Sequence, residues 1–318
     1  MRARFAVSAP AKVNLLLRVG PKGADGYHDI FSIVQQVSLC DRLRVGVRRR
    51  GLILACRGRA VPLGRDNLVV RAAERLQRTA GVSTGAAIRL DKRIPVGAGL
   101  GGGSSDAAAV VLALNRLWRL GWSRRRLAET VAPLGSDIAL FFASPLSVVE
   151  GTGAAVRSLH RPADRGGPSL PRRMVIIYPN LISSTAEAYH ALDRLRRRGR
   201  AACRVPRFPL TPREREIIIS RFLHGMGTSV RSLLGNDFEP VIYKAFPTVH
   251  SAAGRLLQTG AAGVLLSGSG SAVFGLFSEA RSARSAAAAI RGTHPEWSVW
   301  VVRPLRRAPS VRVVRSLI

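Results

Sequence analysis

In the N-terminal part of the chain, apolar positions come in short β-branched or leucine-rich runs at residues 4–7, 13–19, 30–39, 43–47 and 52–56, separated by Gly, Pro and Asp. Runs of this length between turn formers predict strands, so this region builds a sheet. The period then changes. Leu68-Val-Val-Arg-Ala-Ala-Glu-Arg-Leu76 has helical spacing, and the carboxylate of Asp66 is suited to cap its free amides. A strand is expected at residues 86–90. After a glycine-rich stretch, residues 107–118 are apolar nearly all round, which predicts a buried helix. A further helix is expected over residues 123–131, with Ser123 as its cap.

Residues 159–171 are rich in Pro, Gly, Asp and Arg and read as a hinge. Beyond it, a strand is expected at 174–178, a helix at 185–195 and an Arg-rich, Pro-interrupted surface excursion at 196–212. Helices at 238–246 and 249–259, strands at 264–266 and 272–277, a helix at 279–290 and a strand at 298–302 follow. This alternation predicts a layered α+β or α/β architecture. We expect domains at residues 1–165 and 172–305 and a basic tail at 306–318.

With 318 residues, 47% of them apolar, the chain can bury a substantial core. No apolar run approaches the about 18 residues of a membrane span. The best candidate, residues 138–149, is broken by Ser144 and Pro145. Pro10, Lys12 and Asn14 interrupt any signal-peptide core behind Arg2 and Arg4. Cys40, Cys56 and Cys203 lack paired spacing and fit reduced thiols in a cytoplasmic protein. None of the histidines, among them His160, has metal-site spacing. The formal net charge of +31 is almost all arginine, scattered along the chain without aromatic interleaving. Scatter and the absence of a nucleic-acid signature favour a solvated surface over specific nucleic-acid binding.

The candidate chemistry lies in Pro95-Val-Gly-Ala-Gly-Leu-Gly-Gly-Gly-Ser-Ser-Asp106. A Walker A loop needs a lysine after its glycines, and none is present. Gly97-Ala-Gly99-Leu-Gly-Gly102 matches the dinucleotide fingerprint, but Trp122-Ser-Arg-Arg stands where an acidic ribose ligand is required. The protein-kinase sequences His-Arg-Asp and Asp-Phe-Gly are missing. What remains is a glycine loop whose backbone amides, with Ser104 and Ser105 and the following helix terminus, can cradle a polyphosphate. A plain turn and helix cap is the alternative, although it requires fewer glycines.

The loop resembles that of the GHMP kinase superfamily, which includes galactokinase and homoserine, mevalonate and phosphomevalonate kinases. Ala9-Pro-Ala-Lys-Val-Asn14, Asp25-Gly-Tyr-His28, Leu134-Gly-Ser-Asp137 and Ser267-Gly-Ser-Gly-Ser271 extend the resemblance over nearly the whole chain. The likeness is greatest to members that use ATP to phosphorylate the 2-hydroxyl of a cytidine diphosphate-linked methylerythritol in nonmevalonate isoprenoid biosynthesis. It implies a two-lobed α+β fold, with a ribosomal protein S5 domain 2-like N-terminal half and a ferredoxin-like C-terminal half.

The resemblance assigns catalysis to Asp137 as general base, paired with Lys12. Read from the residues alone, Asp137 could equally be a helix cap, and Lys12 an edge-strand gatekeeper. Ser136 and Ala139 depart from the family's usual alanine and proline. ATP binding falls to Asn67, Pro95, Gly97, Gly99, Leu100, Gly101, Gly102, Gly103, Ser104 and Ser105. Asn14 would face the same side of its strand as Lys12 and bind the substrate. Tyr27 and Tyr189 would flank the cytosine, with His28 bonding its edge, although an aromatic in an Ala/Leu helix such as Tyr189 is also a common core residue. Asn236-Asp237 also fits the family pattern but is equally a helix cap, and stands outside this set. ATP chemistry implies Mg²⁺, for which no protein ligand stands out. A monomer or homodimer acting on a small molecule is expected. The alternatives are another alcohol acceptor or a non-catalytic nucleotide- or RNA-binding protein on the same scaffold.

Overall fold

The structure is a computed structural model describing residues 4–159, 173–197, 209–224 and 233–314. His160, Cys203, most of the expected hinge and most of the 196–212 excursion lie outside the described residues. Two long strands, β1 (Arg4–Lys22) and β2 (His28–Arg48), replace the four shorter ones expected. Pro10 does not end β1, because the register shifts between Pro10 and Lys12 and the missing N–H falls in an irregularity of the ladder. Asp41 does not turn β2 either. Its Oδ1 accepts the backbone N–H groups of Arg93 (2.5 Å) and Ile94 (2.8 Å) across the sheet.

Next come β3 (Leu52–Gly58), α1 (Leu68–Thr79), β4 (Gly85–Lys92), α2 (Gly102–Leu117) and α3 (Arg124–Val131). Asn67, not Asp66, caps α1: its backbone is extended and its side chain accepts from Val69 N at 2.9 Å. Ser123 caps α3 as expected. α2 starts inside the glycine stretch, earlier than its apolar pattern shows, since glycines mask helical periodicity. A 3₁₀ turn (Ser136–Phe142) and β5 (Leu146–Gly151) divide the apolar run at 138–149, and β6 (Ala155–Ser158) follows.

The C-terminal part contains β7 (Arg173–Tyr178), α4 (Thr185–Arg197), α5 (Pro212–His224), β8 (Gly235–Asn236), α6 (Glu239–Ala245), α7 (Pro247–Gln258), β9 (Gly263–Leu266), β10 (Val273–Phe277), α8 (Ala280–Thr293), β11 (Ser298–Val302) and β12 (Arg312–Val313). α5 was not expected, yet its signal is Thr211-Pro-Arg-Glu214, a capping box in which Glu214 accepts from Thr211 N at 2.7 Å and Glu214 N donates to Thr211 Oγ1 at 3.2 Å.

The larger sheet follows the path β12-β1-β2-β4-β3, with β5 and β6 extending from β2 and the short β8 parallel to β1. The basic tail thus returns to the N-terminal sheet through β12. The second sheet, β11-β7-β10-β9, is antiparallel, and its order agrees with the ferredoxin-like half expected. One core cluster packs Val7, Leu43, Val45 and Ile88 against α1 and α2. Another joins the two halves, burying Val13, Leu15, Phe31 and Ile33 against Met174, Ile176 and Phe274. The halves therefore share apolar core, which holds the cleft between them in shape. Among the described residues, no helix is long and apolar enough to cross a membrane.

Candidate active site

A cleft of about 1290 Å³ opens between the halves, lined by the glycine loop, the start of α2, the Asp25–His28 turn, the segment before the 3₁₀ turn, and α4. α2 begins at Gly102 with Gly101 at its N-cap in the left-handed region (φ 68°) and no side-chain cap, so the first-turn amides remain available to an anion. The glycines also permit close approach. A β-carbon at Gly99 (φ +74°) would lie 1.9 Å from the Ser267 carbonyl oxygen. The Ser267–Ser271 turn is fastened to the loop there, with Ser267 Oγ donating to Gly99 O (3.0 Å) and Ala272 N to Ala98 O (3.1 Å).

Pro95, Gly97, Gly99, Leu100, Gly101, Gly102, Gly103 and Ser104 all line the cleft, and so does Asn67. The Asn67 side chain is already committed to capping α1 and to donating to Pro62 O at 2.7 Å. Ser105 does not line the cleft; it is buried, and its hydroxyl has no hydrogen-bond partner among the described residues.

Lys12 is buried rather than at an edge, which removes the gatekeeper reading. Its Nζ donates to Asn14 Oδ1 (2.7 Å), Asn14 Nδ2 to Ser32 Oγ (2.8 Å) and Ser32 Oγ to Leu16 O (2.6 Å). Asn14 thus shares the face of Lys12, as strand alternation requires. Burial pushes the Lys12 ammonium below the ordinary lysine range, and the Asp137 carboxylate partly offsets this. The expected direct pair between them is not closed in this structure. They lack a contact within ion-pair distance, and Asn14 takes the ammonium instead. Asp137 lies in the 3₁₀ turn, whose N-cap is Gly135, and makes no capping bond. Its half-buried carboxylate lines the cleft with no hydrogen-bond or ion-pair partner among the described residues.

Across the cleft, Tyr27 is 67% exposed on an Asx turn, its N–H donating to Asp25 Oδ1 at 3.0 Å. In His28, expected at the cytosine edge, both ring nitrogens have protein partners. Nδ1 lies 2.9 Å from Gly20 O, so it carries the proton donated there, and Nε2 is 3.3 Å from Asp193 Oδ2. Tyr189 does not oppose Tyr27 as a free ring; it stacks on His28 (4.7 Å, 26°) and meets Phe238 edge-on (4.9 Å, 88°). Burial, then the nearby Asp137 charge, pushes the Tyr189 phenol up to about 12.

Sequence reading missed a charged group beneath the loop. Lys92 Nζ, itself buried, donates to Asp41 Oδ2 (2.5 Å) and Asp106 Oδ2 (2.7 Å), while Asp106 Oδ1 is buried without a partner. Burial drives Asp106 up to about 8, against the pull of Lys92 and with the help of Asp41. For Lys92, burial lowers its pKa, but the two carboxylates together outweigh it and the net direction is upward. Lys92 ends a strand and Asp106 lies one turn into a helix, so only folding brings them together.

Residues 67–144 match the family model described as GHMP kinases N terminal domain, and residues 218–296 that described as GHMP kinases C terminal. A 4-diphosphocytidyl-2-C-methyl-D-erythritol kinase of Geotalea daltonii is 38% identical over 93% of this chain and 98% of its own. The enzyme of that name from Pelotomaculum thermopropionicum is 39% identical over 90% and 93%. The crystal structure of a 4-(cytidine 5'-diphospho)-2C-methyl-D-erythritol kinase superposes with a TM-score of 0.74 at 34% identity, covering 93% of this chain and 98% of that one. Homoserine kinase from Cytophaga hutchinsonii shares the fold, with a TM-score of 0.69 at 21% identity over 97% of both chains. With the glycine-loop cleft, the matches to both halves and these relatives, the chain belongs to the GHMP kinase family and is an ATP-dependent small-molecule kinase.

Proposed function

We propose that the protein transfers the γ-phosphoryl group of ATP to the 2-hydroxyl of 4-diphosphocytidyl-2-C-methyl-D-erythritol. The observation that carries this reading is the cleft itself. A carboxylate without a partner among the described residues, a buried ammonium, a phosphate-binding loop, an exposed tyrosine and a histidine–tyrosine stack all line it. The relatives named for this reaction support the same acceptor.

In this reading the ATP phosphates lie along Gly99–Ser104, bound by backbone amides and the positive end of α2. Asp137 takes the proton of the acceptor hydroxyl, and its lack of any other partner leaves it free to do so. Lys12 offsets charge on the transferred group and the developing alkoxide. The gap between Lys12 and Asp137 is where the hydroxyl would enter. Asn14, which already orients Lys12, has a second amide hydrogen for the acceptor. Tyr27 offers a face for the cytosine, and the His28–Tyr189 stack forms the adjoining wall. Magnesium fits this site: Ser104 brings an uncommitted hydroxyl oxygen to the cleft beside the loop, a hard donor suited to an ion held mostly by phosphates and water. Bound there, the ion would neutralise phosphate charge.

The test is ATP consumption with this acceptor in parallel with mevalonate, homoserine and galactose. We expect turnover with the cytidylyl compound alone. Asp137→Asn is expected to lower kcat by about 10²–10⁴-fold while leaving ATP affinity nearly unchanged. Turnover of another acceptor would overturn the acceptor assignment. Silence with all four would favour a nucleotide- or RNA-binding protein, and an active Asp137→Asn enzyme would remove the base.

A further inference from the structure

Asn236 and Asp237 lie away from the reacting groups, yet each reaches toward a different side of the cleft. Asn236 sits in β8 opposite Leu17 of β1 and is 4% exposed. Its Nδ2 donates to Leu266 O (2.9 Å) and Gly268 O (2.7 Å), and its Oδ1 accepts from Phe238 N (2.9 Å). All the bonds of this amide close on backbone. Gly268 is the point of the glycine turn nearest the chemistry: a β-carbon there would lie 3.0 Å from Lys12 Nζ and 3.1 Å from Gly99 O. Asn236 therefore holds the turn that presses against the phosphate loop and the ammonium.

Asp237, 3% exposed, faces the other way. Its carboxylate accepts from Arg18 Nη1 (2.9 Å) and Val19 N (2.9 Å) and pairs with Arg196 Nη2 at 3.6 Å. Arg196 in turn donates to Val19 O (2.5 Å) and Gly20 O (2.8 Å). Gly20 O is also the acceptor for His28 Nδ1. The chain of bonds from Asp237 thus ends on the ring that stacks with Tyr189. Simple helix capping would not need these connections: α6 begins after Phe238 and takes no side-chain cap from either residue.

We propose that Asn236 and Asp237 are positioning residues that set the two subsites separately, Asn236 holding the nucleotide side through the Gly268 turn and Asp237 the acceptor side through Arg196, Gly20 and His28. This rests on the assignment of those subsites above. Because the two residues are adjacent in a buried strand end, a displacement of one subsite relative to the other would have to break a bond to one of them. The segment acts as a gauge for the distance between donor and acceptor, a quantity to which phosphoryl transfer is sensitive.

The test is titration calorimetry of the full chain with a non-hydrolysable ATP analogue and, separately, with cytidine diphosphate, alongside thermal melts. Asn236→Asp keeps the acceptor for Phe238 N but removes both donated bonds; Ser267→Ala loosens the same turn more gently. Both are expected to weaken the ATP analogue, Asn236→Asp by about tenfold, with cytidine diphosphate within about twofold of wild type. Asp237→Asn and, at the half-buried Arg196, Arg196→Ala are expected to do the reverse. Equal weakening of both ligands in every variant, or a lower melting temperature with no change in either affinity, would leave the pair a merely structural joint and overturn the proposal. A wild-type chain that binds the ATP analogue but not cytidine diphosphate would overturn the acceptor assignment and the Asp237 arm with it. The Asn236 arm would then stand or fall on the ATP analogue alone.

Discussion

Lys12 is an unusual lysine by its surroundings. It is buried, its nearest polar partner is a neutral amide, and the carboxylate that influences it is beyond ion-pair distance. Such a cation is poorly solvated and is stabilised by an arriving polyphosphate more than an exposed one would be. Since its folded pKa lies below the ordinary 10.5, the ammonium is lost as pH rises through that lowered value. If Lys12 acts as proposed, the alkaline limb of the pH–rate profile should lie below the usual lysine range. The residual activity of Lys12→Arg should lack that limb, because a guanidinium stays charged. An identical limb in both enzymes would assign it to another group.

At the scale of elements, α2 is fixed from below. Lys92 at the end of β4 joins Asp41 of β2 to Asp106, one turn into α2, so strand and helix meet at one buried ammonium. Asp106 keeps its proton in the folded protein to about pH 8, whereas in the unfolded chain it loses it near pH 4. Between those values the native state binds more protons, and stability from this group falls as pH rises; above about 8 it changes no further. Asp106→Asn preserves shape and an acceptor for Lys92 but cannot titrate. Urea midpoints from pH 5 to 8 are expected to decline less steeply in the variant than in the wild type, and parallel declines would show that Asp106 titrates normally. The same region explains the late start predicted for α2. Glycines carry no hydrophobic period, and Gly102, the first residue of α2, leaves room for Ile94 and Lys92 Nζ, each 2.9 Å from where its β-carbon would stand.

Across the whole molecule, arginines distant in sequence gather on the outer face of the N-terminal sheet. Arg44 of β2 lies directly opposite Arg89 of β4, with Arg48 exposed on the same face, while Arg42 and Arg57 flank Asp91, to which Arg57 is paired. Directly opposed like charges weaken a strand pair, and a net charge of +31 opposes compaction generally. Screening should relieve this. We expect the melting temperature to rise by a few degrees between about 20 mM and about 300 mM salt, as the Debye length shrinks below the spacing of the surface charges. A fall would mean that exposed ion pairs such as Arg157–Glu216 outweigh the repulsion.

The strand runs, the helices after residue 238, the capped α3 and the glycine loop were legible from the chain, because periodicity and capping are local properties. So was the likeness carried by Lys12, Asn14, Tyr27, His28 and Asp137, since those motifs are contiguous. Partnership was not legible. That Tyr189 leans on His28, that Lys92 lies between two aspartates, and that Asn236 and Asp237 reach opposite sides of one cleft all depend on contacts between residues far apart in sequence. Local pattern was enough to place most of the elements and the chemistry they carry. Which side chains are already committed and which remain available to a substrate follows from packing, because burial and hydrogen-bond satisfaction are settled there.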